Sequence, residues 1–283
     1  MTFPQDNHTL GAAAVRDFSQ AVEGMGYDFI TGGEHVLGVD VTHRPDWSGP
    51  YTRTQVWHEP FVIMSFIAGC TERVRLGTSV LVLPLRQTAL VAKQSAEVDV
   101  LSSGRFFLGI GVGWNEVEFE AMNQEFHTRG ARTEEQIAVI QALWAGDSIT
   151  FNGRWHHLDA VGINPLPVQR PIPIWMGGGG TVRVQQRIAR LADGWFPEVR
   201  TAAEFAPVYE GFKGMVQAAG RKLEDVAICA RTRLTLDRPE DAAGEIKEWE
   251  ALGASHVQLS TNRSGMISLD QHIEAYRRFR AAL

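Results

Sequence analysis

Along this chain short apolar runs alternate with longer stretches in which apolar residues return every three or four positions. Leu10, Val15, Phe18, Val22 and Met25 follow the second pattern and predict a first helix, with Gly24 and Gly26 as its end signals. Tyr27-Asp28-Phe29-Ile30 has the length and apolarity of a buried strand. The same succession then recurs. Helical spacing runs from His58 to Cys70, an extended run from Val74 to Leu81 stops at Pro84, and an amphipathic helix from Ala89 to Leu101 ends at Ser102-Ser103-Gly104. An apolar run inside Arg105 to Ile110 predicts the next strand, followed by helical material at Glu116 to Met122 and from Thr133 to Ala145. In the last third, strands are predicted at Ile172 to Met176, Asp193 to Phe196, Val226 to Ala230 and Ser255 to Leu259. Each precedes a helix: Val182 to Leu191, Ala202 to Ala219, Pro239 to Leu252 and Leu269 to Ala282.

Two segments break this rhythm. Val36 to Val56 has no period but carries Trp47 and Tyr51, which predicts an ordered loop, since solvated linkers rarely contain aromatic residues. Between residues 147 and 170, Ser148 to Phe151, then Asn152-Gly153, then Arg154-Trp155-His156 carry the signature of a β-hairpin on a two-residue type I′ turn. Strand positions fall near residues 2, 28, 77, 108, 174, 195, 228 and 257, the first cut short by Pro4. Eight strand-helix units in one chain predict an α/β fold, a (β/α)8 TIM barrel formed by a single domain over 1–283, with the hairpin inserted around 147–170. A doubly wound open sheet is the alternative, although eight parallel strands without an evident edge suit it poorly.

Composition narrows the partners. A hydrophobic share of 44% and a charged share of 21% are those of an ordinary globular chain. The net charge of −6 leaves no electrostatic footprint for nucleic acid or an anionic membrane, and no apolar run is long enough to span a bilayer. The segment Met1 to Asp6 lacks the basic-then-apolar pattern of a secretory signal, and Cys70 and Cys229 both lie in apolar stretches. A soluble cytoplasmic protein is expected.

In such barrels the chemistry lies at the C-terminal ends of the strands. There the chain offers Glu34-His35, Ser79-Val80, Gly111-Val112-Gly113-Trp114-Asn115 and Gly177-Gly178-Gly179-Gly180-Thr181. Gly111-Val112-Gly113 lacks the third glycine and the acidic partner of a dinucleotide fingerprint. Asn115 with Glu118 matches a helix capping box. Gly177 to Thr181, just before the helix at Val182, suits an anion cradle. His35, at a strand end, is a candidate functional residue. His58, His127, His156 and His157 lack zinc-motif spacing, so no metal site is predicted. Trp47, Tyr51 and Trp57 are expected to line a substrate pocket, and Arg129 and Arg132 to form salt bridges around the helix starting near Thr133.

Several of these segments resemble the bacterial-luciferase-like superfamily of flavin and deazaflavin enzymes. The resemblance is carried by Gly26-Tyr27-Asp28 through Glu34-His35, Arg73 to Thr78, Ala92-Lys93-Gln94 and Leu101 to Phe106. It continues through Leu108 to Phe119, Arg129 to Glu135, Leu143-Trp144, Phe151-Asn152-Gly153 and Pro173 to Gly179. The form Gly-Val-Gly-Trp-Asn-Glu is closest to the branch that uses the deazaflavin F420. The resemblance implies an F420-dependent oxidoreductase, with FMN as the alternative cofactor and a luciferase-like monooxygenase as the alternative activity; a non-catalytic flavin-binding protein is the third. It also implies a homodimer, a ring at the barrel mouth, and a bulge with a non-prolyl cis peptide at Ser79-Val80. Glu34, Ser79, Val80, Val112, Gly113 and Asn115 would then contact the cofactor, and Gly177 to Thr181 its phosphate. His35 would sit beside the reactive carbon.

Overall fold

The computed structural model describes residues 1–5, 10–235 and 237–283. The elements are α1 (Ala12–Gly24), β1 (Phe29–Gly32), α2 (Pro60–Cys70), β2 (Arg75–Thr78), β3 (Leu81–Val82), α3 (Thr88–Leu101), β4 (Phe106–Gly111), α4 (Glu116–Ala121) and α5 (Arg129–Ala145). Then come β5 (Ile149–Asn152), β6 (His157–Val161), β7 (Ile174–Gly178), α6 (Val182–Leu191), β8 (Gly194–Pro197), α7 (Ala202–Ala218), β9 (Ala227–Arg233), α8 (Pro239–Ala251), β10 (His256–Ser260) and α9 (Leu269–Ala282). Nearly every predicted element is present within a few residues.

The main sheet is parallel, in the order β1-β2-β4-β7-β8-β9-β10, with β3 pairing β4. Its two edges are joined by the first three residues. Thr2 N donates to Leu259 O of β10 at 2.8 Å, Phe3 N to Thr31 O of β1 at 2.7 Å, and Thr31 N to Met1 O at 2.9 Å. This segment is one parallel bridge long, Thr2 to Thr31, yet it occupies the eighth position and closes the barrel. Closure excludes the open doubly wound sheet and gives the (β/α)8 architecture.

Side-chain parity sorts each strand into two faces. Ile30, Leu76, Phe106, Leu108, Ile174, Met176, Trp195, Ile228 and Ala230 point outward and pack under the helices. Phe29, Phe107, Trp175, Phe196 and Cys229 point inward and fill the lower barrel, Phe107 and Trp175 with ring centroids 5.0 Å apart. Counting two residues onward along the same inward face reaches Thr31 and Arg231, whose register partner is Gln258, and two further reaches Gly33 and Arg233, whose register partner is Ser260. An apolar floor under a polar mouth follows directly from that alternation.

The hairpin β5–β6 forms between α5 and β7, but its turn is not type I′. Asn152 pairs with His157, so four residues form the loop, closed by Gly153 N donating to His156 O at 2.8 Å. Glu135 of α5 decides this shape. It accepts from the amides of Arg154, Trp155 and His156, each at 2.8 Å, and from His156 Nδ1. Arg129 and Arg132 likewise depart from expectation, donating to the main-chain carbonyls of Gly113 and Pro84 at 3.0 Å each instead of pairing with carboxylates.

Candidate active site

His35 follows β1 and lies under the loop 36–56. Its Nδ1 meets Glu118 Oε2 at 2.9 Å, and the pair is almost entirely buried. The same carboxylate accepts from Val36 N at 2.6 Å, Leu37 N at 3.2 Å and Asn115 Nδ2 at 3.2 Å. Burial pushes the Glu118 carboxyl up, but His35 and these amides outweigh it and hold it below its ordinary value. An anionic acceptor on Nδ1 favours a proton there and leaves Nε2 as the ring nitrogen open to another partner. Nε2 has no hydrogen-bond partner among the described residues. Around the imidazole stand Tyr51, Trp57 and Trp114, with ring centroids at 4.7, 4.9 and 5.6 Å.

The capping-box reading of Asn115 and Glu118 is therefore corrected. Asn115 makes no side-chain cap to α4, and Glu118 reaches back to a residue 83 positions earlier. Glu34 is also reassigned. With a side chain 2% exposed, it accepts from Val82 N at 2.7 Å and forms an ion pair with Arg86, which pairs with Glu59 as well. Burial raises the Glu34 carboxyl, with Arg86 opposing. This carboxylate has no open face for a ligand and does not touch His35; it braces the chain just after the Ser79-Val80 peptide, which is cis.

Val80 explains two glycines that the sequence suggested as ligand approaches. A Cβ on Gly111 would fall 2.7 Å from Val80 Cγ2, and one on Gly177 2.8 Å from Val80 Cγ1. The ends of β4 and β7 close around this valine. Gly113 instead packs between Val82 and Phe119, and Val112 beside it is half-buried.

A cavity of about 760 Å³ opens at the barrel mouth, of the size that receives an organic ligand. Gly33, Ser79, Tyr51 and Trp57 line it, as do Pro197 to Arg200, Arg231 and Arg233. Ser79, Tyr51 and Trp57 thus stand where the sequence placed them, whereas Trp47 lies one layer behind, 5.8 Å from Trp114 and donating to Tyr51 O. Glu34, Val80, Val112, Gly113, Asn115 and the glycine run do not line the cavity itself, and His35 stands behind Tyr51 and Trp57, which do. The run borders it, since Glu198 N, in the lining, donates to Gly178 O at 3.2 Å.

That run is built as a cradle. Gly178 and Gly179 take φ of +122° and +136°, Trp195 Nε1 donates to Gly178 O at 2.7 Å, and Gln185 Nε2 to Gly179 O at 2.8 Å. Thr181 caps α6 with its hydroxyl, and nothing lies within 4 Å of a Cβ placed on Gly180. Val184 N is taken by the Thr181 hydroxyl, while the amides of Val182 and Arg183 have no hydrogen-bond partner among the described residues, as at helix starts that bind phosphate. Two buried polar atoms near the site, Trp57 Nε1 and Asn115 Oδ1, have no hydrogen-bond partner among the described residues. A ring-bearing phosphate ester offers acceptors and donors for such groups, so these residues fit the cofactor that the resemblance implies. Sequence reasoning placed Trp114 at a strand end without giving it a role, and missed Gln258, Arg231 and Arg233. The last two carried a signal, two arginines alternating with Cys229 at period two.

The family model described as luciferase-like monooxygenase matches residues 2–278. The chain belongs to this family. Its curated relatives include the F420-dependent glucose-6-phosphate dehydrogenase of Amycolatopsis mediterranei, 32% identical over 241 residues that cover 78% of this chain and 68% of the relative. Among solved structures, a monooxygenase of Streptomyces bottropensis superposes with a TM-score of 0.78 at 19% identity, covering 96% of this chain and 92% of the other. An F420-dependent secondary alcohol dehydrogenase, in complex with an F420-acetone adduct, gives 0.78 at 14% identity, covering 99% and 97%. These two likenesses concern the fold. Among the described residues of this luciferase-like chain, no group of three or more His, Cys, Asp and Glu side chains is arranged to hold a metal ion, and no helix is long and apolar enough to cross a membrane.

Proposed function

We propose that this luciferase-like protein is an F420-dependent oxidoreductase that moves a hydride between the deazaflavin ring and a small organic molecule. The observation that carries the reading is His35, fixed through Nδ1 by a buried Glu118 with Nε2 left unpartnered inside a wall of aromatic rings. When bound, the deazaflavin supplies the hydride chemistry. The residues of the chain supply the rest. Gly177 to Thr181 would hold the phosphate at the start of α6, and Ser79-Val80 would support the ring. Tyr51, Trp57 and Trp114 exclude water, and Nε2 of His35 takes or returns the proton that accompanies the hydride. The F420 dependence named for the Amycolatopsis relative supports this choice over FMN.

Titration with F420 and with FMN tests the cofactor, and tight FMN binding without F420 affinity would overturn the reading. His35→Ala is expected to keep F420 affinity and lose about 10²-fold or more in turnover. Unaltered turnover removes His35 from the proton step.

Homodimer formation is part of the same proposal. Val62 and Phe66, one turn apart on α2, are 69% and 40% exposed, and Leu90 on the adjoining α3 is 51% exposed, an apolar face suited to a second copy. Sedimentation over a range of concentrations tests it, and a monomer throughout would sink it.

A further inference from the structure

The cavity contains more positive charge than the proton step needs. Arg200 follows β8, Arg231 and Arg233 are on β9, and Arg263 follows β10, so three neighbouring strand ends deliver four guanidinium groups to one cavity. Two carboxylates, Glu198 and Glu245, also line it. Neither forms an ion pair with Arg200, Arg231 or Arg233 among the described residues. Arg200 and Arg233 make no side-chain hydrogen bond or ion pair there either, and both are exposed to the cavity.

Arg231 is aimed by its neighbours. Gln258, 1% exposed, donates through Nε2 to Thr31 Oγ1 at 2.5 Å and to Ser79 Oγ at 2.8 Å. With its amide nitrogen so engaged, its Oε1 faces Arg231 and accepts from Nε at 3.2 Å. The two terminal nitrogens of Arg231 are left for the cavity. Arg233 lies two residues further on the same inward face, about 6.6 Å along the strand, a spacing at which two guanidiniums flank one anion. Arg263 is held at the rim, 4.5 Å above the Tyr51 ring and donating to Pro50 O at 3.2 Å.

We propose that the substrate is a small organic anion whose carboxylate or phosphate is received between Arg231 and Arg233, with Arg200 and Arg263 at the rim. This rests on the reading above that the barrel mouth is the reaction site. The Ser79–Gln258–Arg231 chain of hydrogen bonds ties the anion site to Ser79, so a substrate gripped by its anionic end would extend its remaining part over Ser79 toward Tyr51 and Trp57, the two cavity-lining rings packed against His35. The cofactor's phosphate would have a separate receptor at Gly177 to Thr181, between β7 and α6.

The test is calorimetric titration of inorganic phosphate and, separately, of glutarate, into the protein alone and into the F420-loaded protein. Saturable binding of at least one probe to both forms is expected, and which one binds tells phosphate from carboxylate. Arg233→Gln should weaken it about tenfold or more, as should Arg200→Gln to a smaller degree, with F420 affinity within about twofold of the parent. Arg190→Gln, on α6 and paired with Glu134 outside the cavity, should leave it unchanged. Absence of binding, insensitivity to Arg233→Gln, or loss of anion binding on F420 loading overturns the proposal, the last by showing that the arginines hold the cofactor's own acidic groups. A protein that fails to bind F420 yet binds a probe in an Arg233-dependent manner would overturn the cofactor reading and support the anion site.

Discussion

Protonating Glu118 is the most direct way to release His35, because one carboxylate holds the imidazole, two loop amides and Asn115. Its carboxyl is held below the ordinary glutamate value of 4.5 in the folded chain. A carboxylate lowered in this sense adds stability above its unfolded value, and that stability is lost as pH falls through the folded one. Glu118→Gln cannot titrate. The wild type is therefore expected to lose more of its melting temperature than the variant from about pH 5 downward, after starting about 1–3 kcal/mol more stable at neutral pH. Parallel melting curves across that range would refute the assignment. The spacing of Asn115 and Glu118 matched a local cap, and only the chain fold could show otherwise, since His35 arrives from 83 residues away.

At the scale of elements, the turn from β7 into α6 is sensitive to single substitutions. Gly179 has φ +136°, and a Cβ there would lie 2.8 Å from Trp195 Cζ2; Gly180 next to it meets nothing within 4 Å. Gly179→Ala is expected to lower stability by about 1–3 kcal/mol and to weaken F420 more than a phosphate-free deazaflavin. Gly180→Ala should leave stability nearly unaltered. Thermal melts with both ligand titrations check the pair, and equal behaviour of the two variants would contradict the cradle. The glycine run is legible in the amino-acid sequence because four glycines ahead of a helix have few other uses. The shape of the hairpin turn is not, because Glu135 of α5 captures its amides from outside the local sequence.

For the whole molecule, closure depends on three residues. Phe3 is fully buried and meets Phe18 edge-on at 5.3 Å, while Thr2 N supplies the hydrogen bond to Leu259. Phe3→Ala is expected to cost about 3–5 kcal/mol. Thr2→Pro removes the donor to β10 and should lower stability while leaving the apolar core intact. Denaturant unfolding of both variants measures this, and parental stability in both would show that the barrel does not need its first segment.

The alternation of apolar runs and amphipathic stretches determined eight strand positions, the helices between them and the end of the barrel that carries the chemistry. These depend on side-chain period and on glycine and proline, which act over a few residues. Tertiary structure alone decided which groups meet. It turned Glu118 from a cap into the partner of His35, buried Glu34 against Arg86, and fitted Val80 between Gly111 and Gly177. It also brought Arg231 and Arg233 into a cavity with Ser79. The physical reason is that a hydrogen bond or a close contact is set by distance in space, and barrel closure brings together residues that sequence separation keeps apart.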